Sequence, residues 1–381
     1  MSWDARPSRL ARIVARYRRR GAPLWDLRNS NPTLAALEYP DAIRAALAEP
    51  AVMLYEPQPA GAPAAREAVA AYYRARGITV EPGQVMLASG TSEAYSWLFK
   101  LLCDPGDEIL IPKPSYPLFD FLAGLEAVRP VPYWLAYDGR WWLDWQSLEA
   151  AAGARSKAVV VVQPNNPTGS LLNAGEIERL AGFCAERGLA IISDEVFADY
   201  PLEADLVPCV LEQEGAGCFV LGGLSKAAGL PQMKLSWIVA GGPASWREAA
   251  LRRLELIADT YLSVGTPVQC ALPALLEAGR QVREQIRLRV RHNYEWLKGS
   301  LAADPVVALL AAEAGWYAVL RVPPVRSEEE WCVELLVRQG VLVEPGYFYD
   351  FAHGPYLVVS LLTPPPVFQE GIRRLREMAG G

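Results

Sequence analysis

Short apolar runs bounded by turn residues alternate with stretches of helical period from about residue 60 onward. Val85–Ala88, Glu108–Ile111, Val159–Gln163, Ala190–Ser193, Cys218–Leu221 and Ser236–Ala240 read as strands. The run at Val159 is continuous and β-branched, as a strand buried on both faces of a parallel sheet requires. Between them, residues 64–76, Thr91–Leu102, Tyr116–Gly124 and Glu176–Arg187 carry apolar residues at helical spacing. Ser92 and Glu93 suit the first turn of the Thr91 helix. Residues 245–298 are helix-rich, and beyond them lie a strand over Trp316–Val322, a helix over Glu328–Gln339, and a last strand and helix. At the start, Leu10, Ile13, Val14 and Tyr17 mark one face of an amphipathic helix. The same segment carries Arg6, Arg9, Arg12, Arg16, Arg18, Arg19 and Arg20, so a basic targeting arm is the alternative.

This alternation predicts an α/β fold with right-handed crossovers around a mostly parallel central sheet. A smaller α+β domain is expected from the two chain ends. The boundaries read as residues 1–45 (N-terminal segment of the small domain), 46–280 (large domain) and 281–381 (C-terminal part of the small domain).

Composition narrows the function. With 51% hydrophobic and 21% charged residues, the chain has material for a large core. A net charge of −6 argues against nucleic acid, whose phosphates call for a basic surface. Six cysteines without a CxxC pair and only two histidines argue against a zinc site and for a reducing, cytoplasmic location. No apolar stretch is long enough to span a bilayer.

Ligands of open α/β sheets bind beyond the carboxyl ends of the strands. Four polar segments fall there. Ser89–Ala94 (SGTSEA) joins a strand to a helix, where free amides and the helix dipole suit a phosphate; a plain N-cap with a turn glycine fits equally. Gln163–Gly169 (QPNNPTG) follows the most apolar strand and lets Asn166 present its amide to a ligand; a bare turn is the alternative. Asp194 directly follows an apolar strand, where a carboxylate is costly unless paired. A protonated pyridine nitrogen is a suitable partner, and a helix N-cap is the competing role. Lys226 lies among small and apolar neighbours, an environment that lowers an amine's pKa and suits Schiff-base chemistry.

In their order and joint presence these segments resemble the class I/II aminotransferase superfamily of fold-type I pyridoxal-phosphate enzymes, from Leu27–Pro32 to the closing helix at Glu370–Glu377. The resemblance implies pyridoxal 5'-phosphate held by Lys226 as a Schiff base, with Lys226 also moving protons at the substrate's α-carbon. It implies Asp194 at the pyridine nitrogen, Asn166 at the phenolic oxygen and Tyr116 stacked on the ring. Gly90, Thr91, Ser92, Ser225 and Lys234 would surround the phosphate. Tyr55 would reach the phosphate of a neighbouring subunit in a homodimer with shared sites. An amino donor and a keto-acid acceptor are the implied substrates.

Three departures stand out. Phe197 occupies a position where the family carries a tyrosine that donates to the phenolic oxygen, which predicts a Schiff base of raised pKa. Lys234 replaces a phosphate-binding arginine, and Gly223 a serine. Val358, two residues before Ser360, stands where an arginine clamps the substrate carboxylate; Arg28 is the candidate replacement, with a surface role as its alternative. The expected function is therefore an aminotransferase, the alternatives being a lyase or cyclase acting on a modified amino acid such as hydroxyarginine, and a non-catalytic cofactor-binding protein. The aromatic stretch Trp134–Trp145 reads as structural packing rather than pocket lining.

Overall fold

The computed structural model describes residues 7–203, 206–262 and 264–380; Arg6 of the basic start lies outside them. Fourteen strands are present among these residues. In chain order they are β1 (Trp25–Asp26), β2 (Val85–Ala88), β3 (Glu108–Lys113), β4 (Arg129–Tyr137), β5 (Trp141–Leu143), β6 (Ser156–Val162) and β7 (Ala190–Asp194). There follow β8 (Cys218–Gly223), β9 (Ser236–Gly241), β10 (Ala308–Leu310), β11 (Tyr317–Arg321), β12 (Val341–Leu342), β13 (Glu344–Pro345) and β14 (Tyr356–Ser360).

Eight of them form one sheet in the order β2-β9-β8-β7-β6-β3-β4-β5. The run β8-β7-β6-β3-β4 is parallel, while β9 and β5 attach antiparallel strands at its two sides. The central strands β6, β7 and β8 are almost wholly buried, which is why their sequences are continuous apolar runs. A second, antiparallel sheet runs β10-β11-β14-β13. The N-terminal segment joins this half of the molecule because β1 pairs in parallel with β12.

A helix over Thr266–Leu301 connects the two halves; its 36 residues span about 54 Å at 1.5 Å per residue. Its buried face, from Val268 to Leu301, is continuous with the main core. The N-terminal helix covers Arg9–Arg19, capped by Ser8, with Leu10 and Val14 buried and Ile13 and Tyr17 packed against the core. The amphipathic reading of that segment is the one realised.

Three elements differ from the sequence expectation. The helix expected from Tyr116 begins at Phe119, because Pro117 disfavours helical backbone at Tyr116. The Trp134–Trp145 stretch contributes to strands β4 and β5 and the start of a helix. Pro130 and Pro132 disguise β4 as a loop. They sit where β4 pairs only with β3, so the missing amide hydrogens cost no bond on the open outer side. The expected helix over Glu328–Gln339 is α-helical to Glu334 and finishes as a π-turn over Leu335–Gln339.

Candidate active site

A cavity of about 510 Å³ opens at the carboxyl ends of β2, β6, β7 and β8, within the range of roughly 300–1,000 Å³ usual for small-molecule sites. Gly90, Thr91, Ser92, Tyr116, Asn166, Asp194, Ser225, Lys226 and Lys234 all line it. Tyr55 and Arg28 do not.

One corner is built for an anion. The chain leaves β2 at Ala88 and enters the Thr91–Leu102 helix at Gly90, which points the free amides of the first turn at the cavity. Glu93 secures this entry, accepting from Ser89 N at 2.7 Å and Ser89 Oγ at 2.8 Å. The Lys234 ammonium comes within 3.8 Å of the place a Gly90 side chain would begin. Lys234 holds a left-handed backbone, with φ at 51°.

Ser225 and Ser236 add hydroxyls to the same lining. Ser236 is paired in register with Gly223 across β8 and β9. A Cβ on Gly223 would stand 2.4 Å from Ser236 Oγ. Ser236 Oγ therefore fills the space that a side chain at position 223 would enter.

The opposite end carries the buried carboxylate. Asp194 closes β7 and is 8% exposed. Its Oδ2 accepts from Tyr95 Oη at 3.1 Å and its Oδ1 from Val196 N at 3.2 Å. Burial pushes the Asp194 carboxyl up to about 6, against the opposing effect of these two hydrogen bonds and of Lys226. Among the described residues Asp194 is thus a buried acid that lacks a cationic partner in direct contact.

Lys226 stands on the four-residue helix Leu224–Ala227 that follows β8. Its Nζ packs 5.4 Å from the ring centre of Phe197 and 5.1 Å from that of Trp316. Although the residue is partly accessible through the cavity, burial of the ammonium lowers its pKa, and the charge of Asp194 offsets part of this. Tyr200 Oη donates to the Lys226 carbonyl and fixes the backbone beneath it.

Asn165 and Asn166 divide their labour. Asn165 builds the turn after β6, with its Oδ1 accepting from Thr168 Oγ1 at 2.8 Å and its carbonyl from Gly169 N at 2.8 Å. Asn166 is left facing the cavity, and its buried Oδ1 has no partner among the described residues. Gly169 permits the turn: φ is 69°, and a Cβ would meet Ala314 O at 2.5 Å. Tyr116 is fixed edge-on against Phe119, with ring centres 6.0 Å apart.

Arg28 proves to be engaged elsewhere. Its guanidinium contacts Asp26 at 3.0 Å and Glu344 at 3.4 Å. Tyr55 is 71% exposed and belongs to a separate small cleft with Leu262 and Gln269. Val358 is 1% exposed and packs with Trp141, Leu310, Val319 and Tyr349. Part of the aromatic stretch thereby covers the junction of the two sheets.

Sequence reasoning missed Ser30, Ser236 and Tyr317, all in the cavity wall, and Tyr95 behind Asp194. Tyr95 carried a usable signal, lying on the inward face of the helix begun at Thr91. Ser236 and Tyr317 reach the cavity through strand pairing and had none.

Comparison with known proteins agrees with this arrangement. A family model for aminotransferase class I and II matches residues 26–363. The alanine aminotransferase of Mycobacterium tuberculosis is 26% identical over 370 residues, covering 92% of this chain and 84% of that protein. An S-alkyl-thiohydroximate lyase of Arabidopsis thaliana is 27% identical over 307 residues, covering 75% of this chain and 64% of that one. Among solved structures, an alanine aminotransferase from Pyrococcus furiosus shares the fold with a TM-score of 0.87 at 22% identity, over 98% of this chain and all of the other. The chain belongs to the class I and II aminotransferase family and is a transferase of amino groups.

Proposed function

We propose that this aminotransferase works with pyridoxal 5'-phosphate, exchanging an amino group between an amine or amino acid and a keto acid. The observation that carries the cofactor is the pairing of vacant valences at opposite ends of one cavity. Among the described residues Asp194 is buried without a cation in contact, and Asn166 lines the same cavity with an amide whose Nδ2 can donate to a ligand oxygen. At the other end Lys234, Ser225 and the first turn after Gly90 offer donors to an anion. A ring bearing a basic nitrogen, a phenolic oxygen and a phosphate matches all three.

When bound, pyridoxal phosphate supplies an aldehyde that condenses with amines and a ring that withdraws electrons from the amine-bearing carbon. Lys226 would hold the cofactor through its Nζ and would move a proton at the substrate's α-carbon; its lowered pKa keeps the amine available. Asp194 holds the proton on the ring nitrogen, and that cation would keep its carboxyl ionised. Asn166 orients the phenolic side, and Tyr116 covers the ring. Gly90, Thr91, Ser92, Ser225 and Lys234 bind the phosphate, with Ser236 as an added donor.

Tyr55 completes this site only from a second copy of the chain. Met53, Leu54, Tyr55 and Leu262 are large apolar side chains left open to solvent, and their exposure supports a homodimer with shared sites. The small domain then comprises residues 1–45 and 281–381, and the large one residues 46–280. Six free cysteines favour a cytoplasmic enzyme. Among the described residues no helix is long and apolar enough to cross a membrane.

The experiment is direct. Protein purified with pyridoxal phosphate should show a visible absorbance band that an amino donor shifts to the amine form of the cofactor, while a keto acid restores it. A band that no donor shifts would defeat the reading as an aminotransferase. A shift accompanied by stoichiometric ammonia would favour elimination instead.

A further inference from the structure

Asp194 is held from a neighbouring helix as well as from its own strand end. The helix over Thr91–Leu102 begins at the anion corner, where Thr91 and Ser92 line the cavity from its first turn. Tyr95 stands four residues after Thr91 and three after Ser92, on the same side of that helix and one turn further along. Its hydroxyl donates to Asp194 Oδ2 at 3.1 Å. One rigid element therefore carries both the amides that face the anion corner and the donor that meets the buried acid at the opposite end.

The position of that hydroxyl is well determined. Tyr95 is 1% exposed. Its ring lies between Phe99, with centres 5.9 Å apart, and Phe119, met edge-on at 5.3 Å. Phe119 in turn packs edge-on against Tyr116. Burial and the charge of Asp194 both raise the Tyr95 phenol well above its ordinary value, so it keeps its proton and donates to a carboxylate throughout the neutral range.

The carboxylate depends on this bond. Among the described residues Tyr95 is the one side chain that hydrogen-bonds Asp194; Lys226 and Tyr116 interact with it by charge alone. The remaining bond, from Val196 N to Oδ1 at 3.2 Å, comes from two residues along the same chain. The two donors take different oxygens, and a carboxylate oxygen with one donor keeps a lone pair for a second. Asp194 is thus clamped on both sides while still open toward the cavity that it lines. Without the Tyr95 hydroxyl, Oδ2 has no bond to fix its direction. Burial then favours the neutral acid more strongly, and a neutral acid is no counter-ion for a protonated ring nitrogen.

We propose that Tyr95 is a positioning residue of the site: its hydroxyl sets Asp194 as the oriented counter-ion of the cofactor's ring nitrogen. The proposal rests on the reading of the cavity as a pyridoxal-phosphate site.

The test compares wild type with Tyr95→Phe, which removes one oxygen atom and leaves the ring packing in place. Each protein is titrated with pyridoxal 5'-phosphate and with its 1-deaza analogue, in which a C–H group replaces the ring nitrogen. Tyr95→Phe should raise the dissociation constant for pyridoxal phosphate about tenfold, the scale of one hydrogen bond to a charged group. The constant for the deaza analogue should stay nearly unchanged, because that ring presents no cation to Asp194. Equal losses with both ligands would reduce Tyr95 to a packing role and overturn the proposal, as would no loss with either. Stability gives an independent readout. Cofactor-free Tyr95→Phe should lose more stability than wild type between pH 4 and pH 8, and this difference should vanish when both proteins also carry Asp194→Asn. A difference that persists beside asparagine overturns the proposal. Wild-type protein that binds neither ligand would overturn the underlying cofactor assignment, an outcome distinct from the others.

Discussion

Ser236 Oγ occupies the space into which a side chain at Gly223 would grow, 2.4 Å from the position of its Cβ. The two residues are register partners at the ends of β9 and β8, and both line the anion corner of the cavity. A hydroxyl is thereby delivered from a neighbouring strand, and the glycine is required by its presence. Gly223→Ala should consequently cost about 1–3 kcal/mol through overpacking and weaken cofactor binding. Adding Ser236→Ala removes the nearest clashing atom and should recover at least half of the lost stability. Thermal melts of the two single variants and the double variant read the coupling directly; strict additivity would count against the contact.

Lys226 should be the only attachment point for the cofactor. Borohydride reduction of the loaded protein, followed by digestion and mass measurement, should place the added mass on the peptide containing Lys226. Lys226→Ala should lose both the added mass and the visible band while still folding, because its Nζ contacts aromatic faces rather than a buried ion-pair partner. Its turnover should drop by about 10²–10⁴ or more, the usual contribution of a positioned general base. A modified peptide elsewhere in the chain would refute the assignment.

Asp194 links folding to pH with an unusual sign. Its carboxyl titrates at about 6 in the folded protein, against an ordinary value of 3.8, because burial penalises the charge. Below the ordinary value both folded and unfolded states hold the proton. As pH rises toward 6 the unfolded chain releases it first, so the cofactor-free protein loses stability through this window. At 1.36 kcal/mol per unit the loss reaches about 3 kcal/mol at most. Asp194→Asn should therefore make the cofactor-free protein more stable than wild type at pH 8, with the gap closing below pH 4. The same variant should bind pyridoxal phosphate more weakly and transaminate slowly, since an amide cannot hold the ring proton. Melting curves across pH without cofactor give the first result, and equal stability at pH 8 would contradict it.

The parts of the site readable in sequence are those in which chemistry and local structure coincide. Gly90–Ser92, Asn166, Asp194 and Lys226 each follow an apolar run, and the end of a buried strand is recognisable without knowing its neighbours. Ser236 and Tyr317 enter through pairing between strands distant in sequence, and no local pattern announces a register. Arg28 illustrates the same limit: its guanidinium is committed by Glu344, 316 residues away, as well as by the nearby Asp26. In the fold, β4 was hidden by prolines that only an edge position tolerates, while the parallel core strands were plain from their unbroken apolar runs.

Phe197 leaves the phenolic side of the cofactor with Asn166 and without the tyrosine hydroxyl common in the family, and its surroundings make restoration feasible. Its ring lines the cavity and packs edge-on against Trp316 and Tyr317, with centres 5.3 Å and 6.0 Å away. A donor to the phenolic oxygen stabilises that oxygen's negative charge, and so favours loss of the proton it shares with the Lys226 nitrogen. Phe197→Tyr should lower the pKa read from the visible band by about one unit, as one hydrogen bond to a charged group worth roughly 1.5 kcal/mol implies. The wild-type band should correspondingly remain in its protonated form through neutral pH. The lower pKa in the variant leaves more of the bound cofactor deprotonated at pH 7, so its colour at that pH should change even where turnover does not. A spectral titration of both proteins from pH 5 to 10 decides the point, and an unshifted pKa in Phe197→Tyr would mean that the new hydroxyl faces away from the phenolic oxygen.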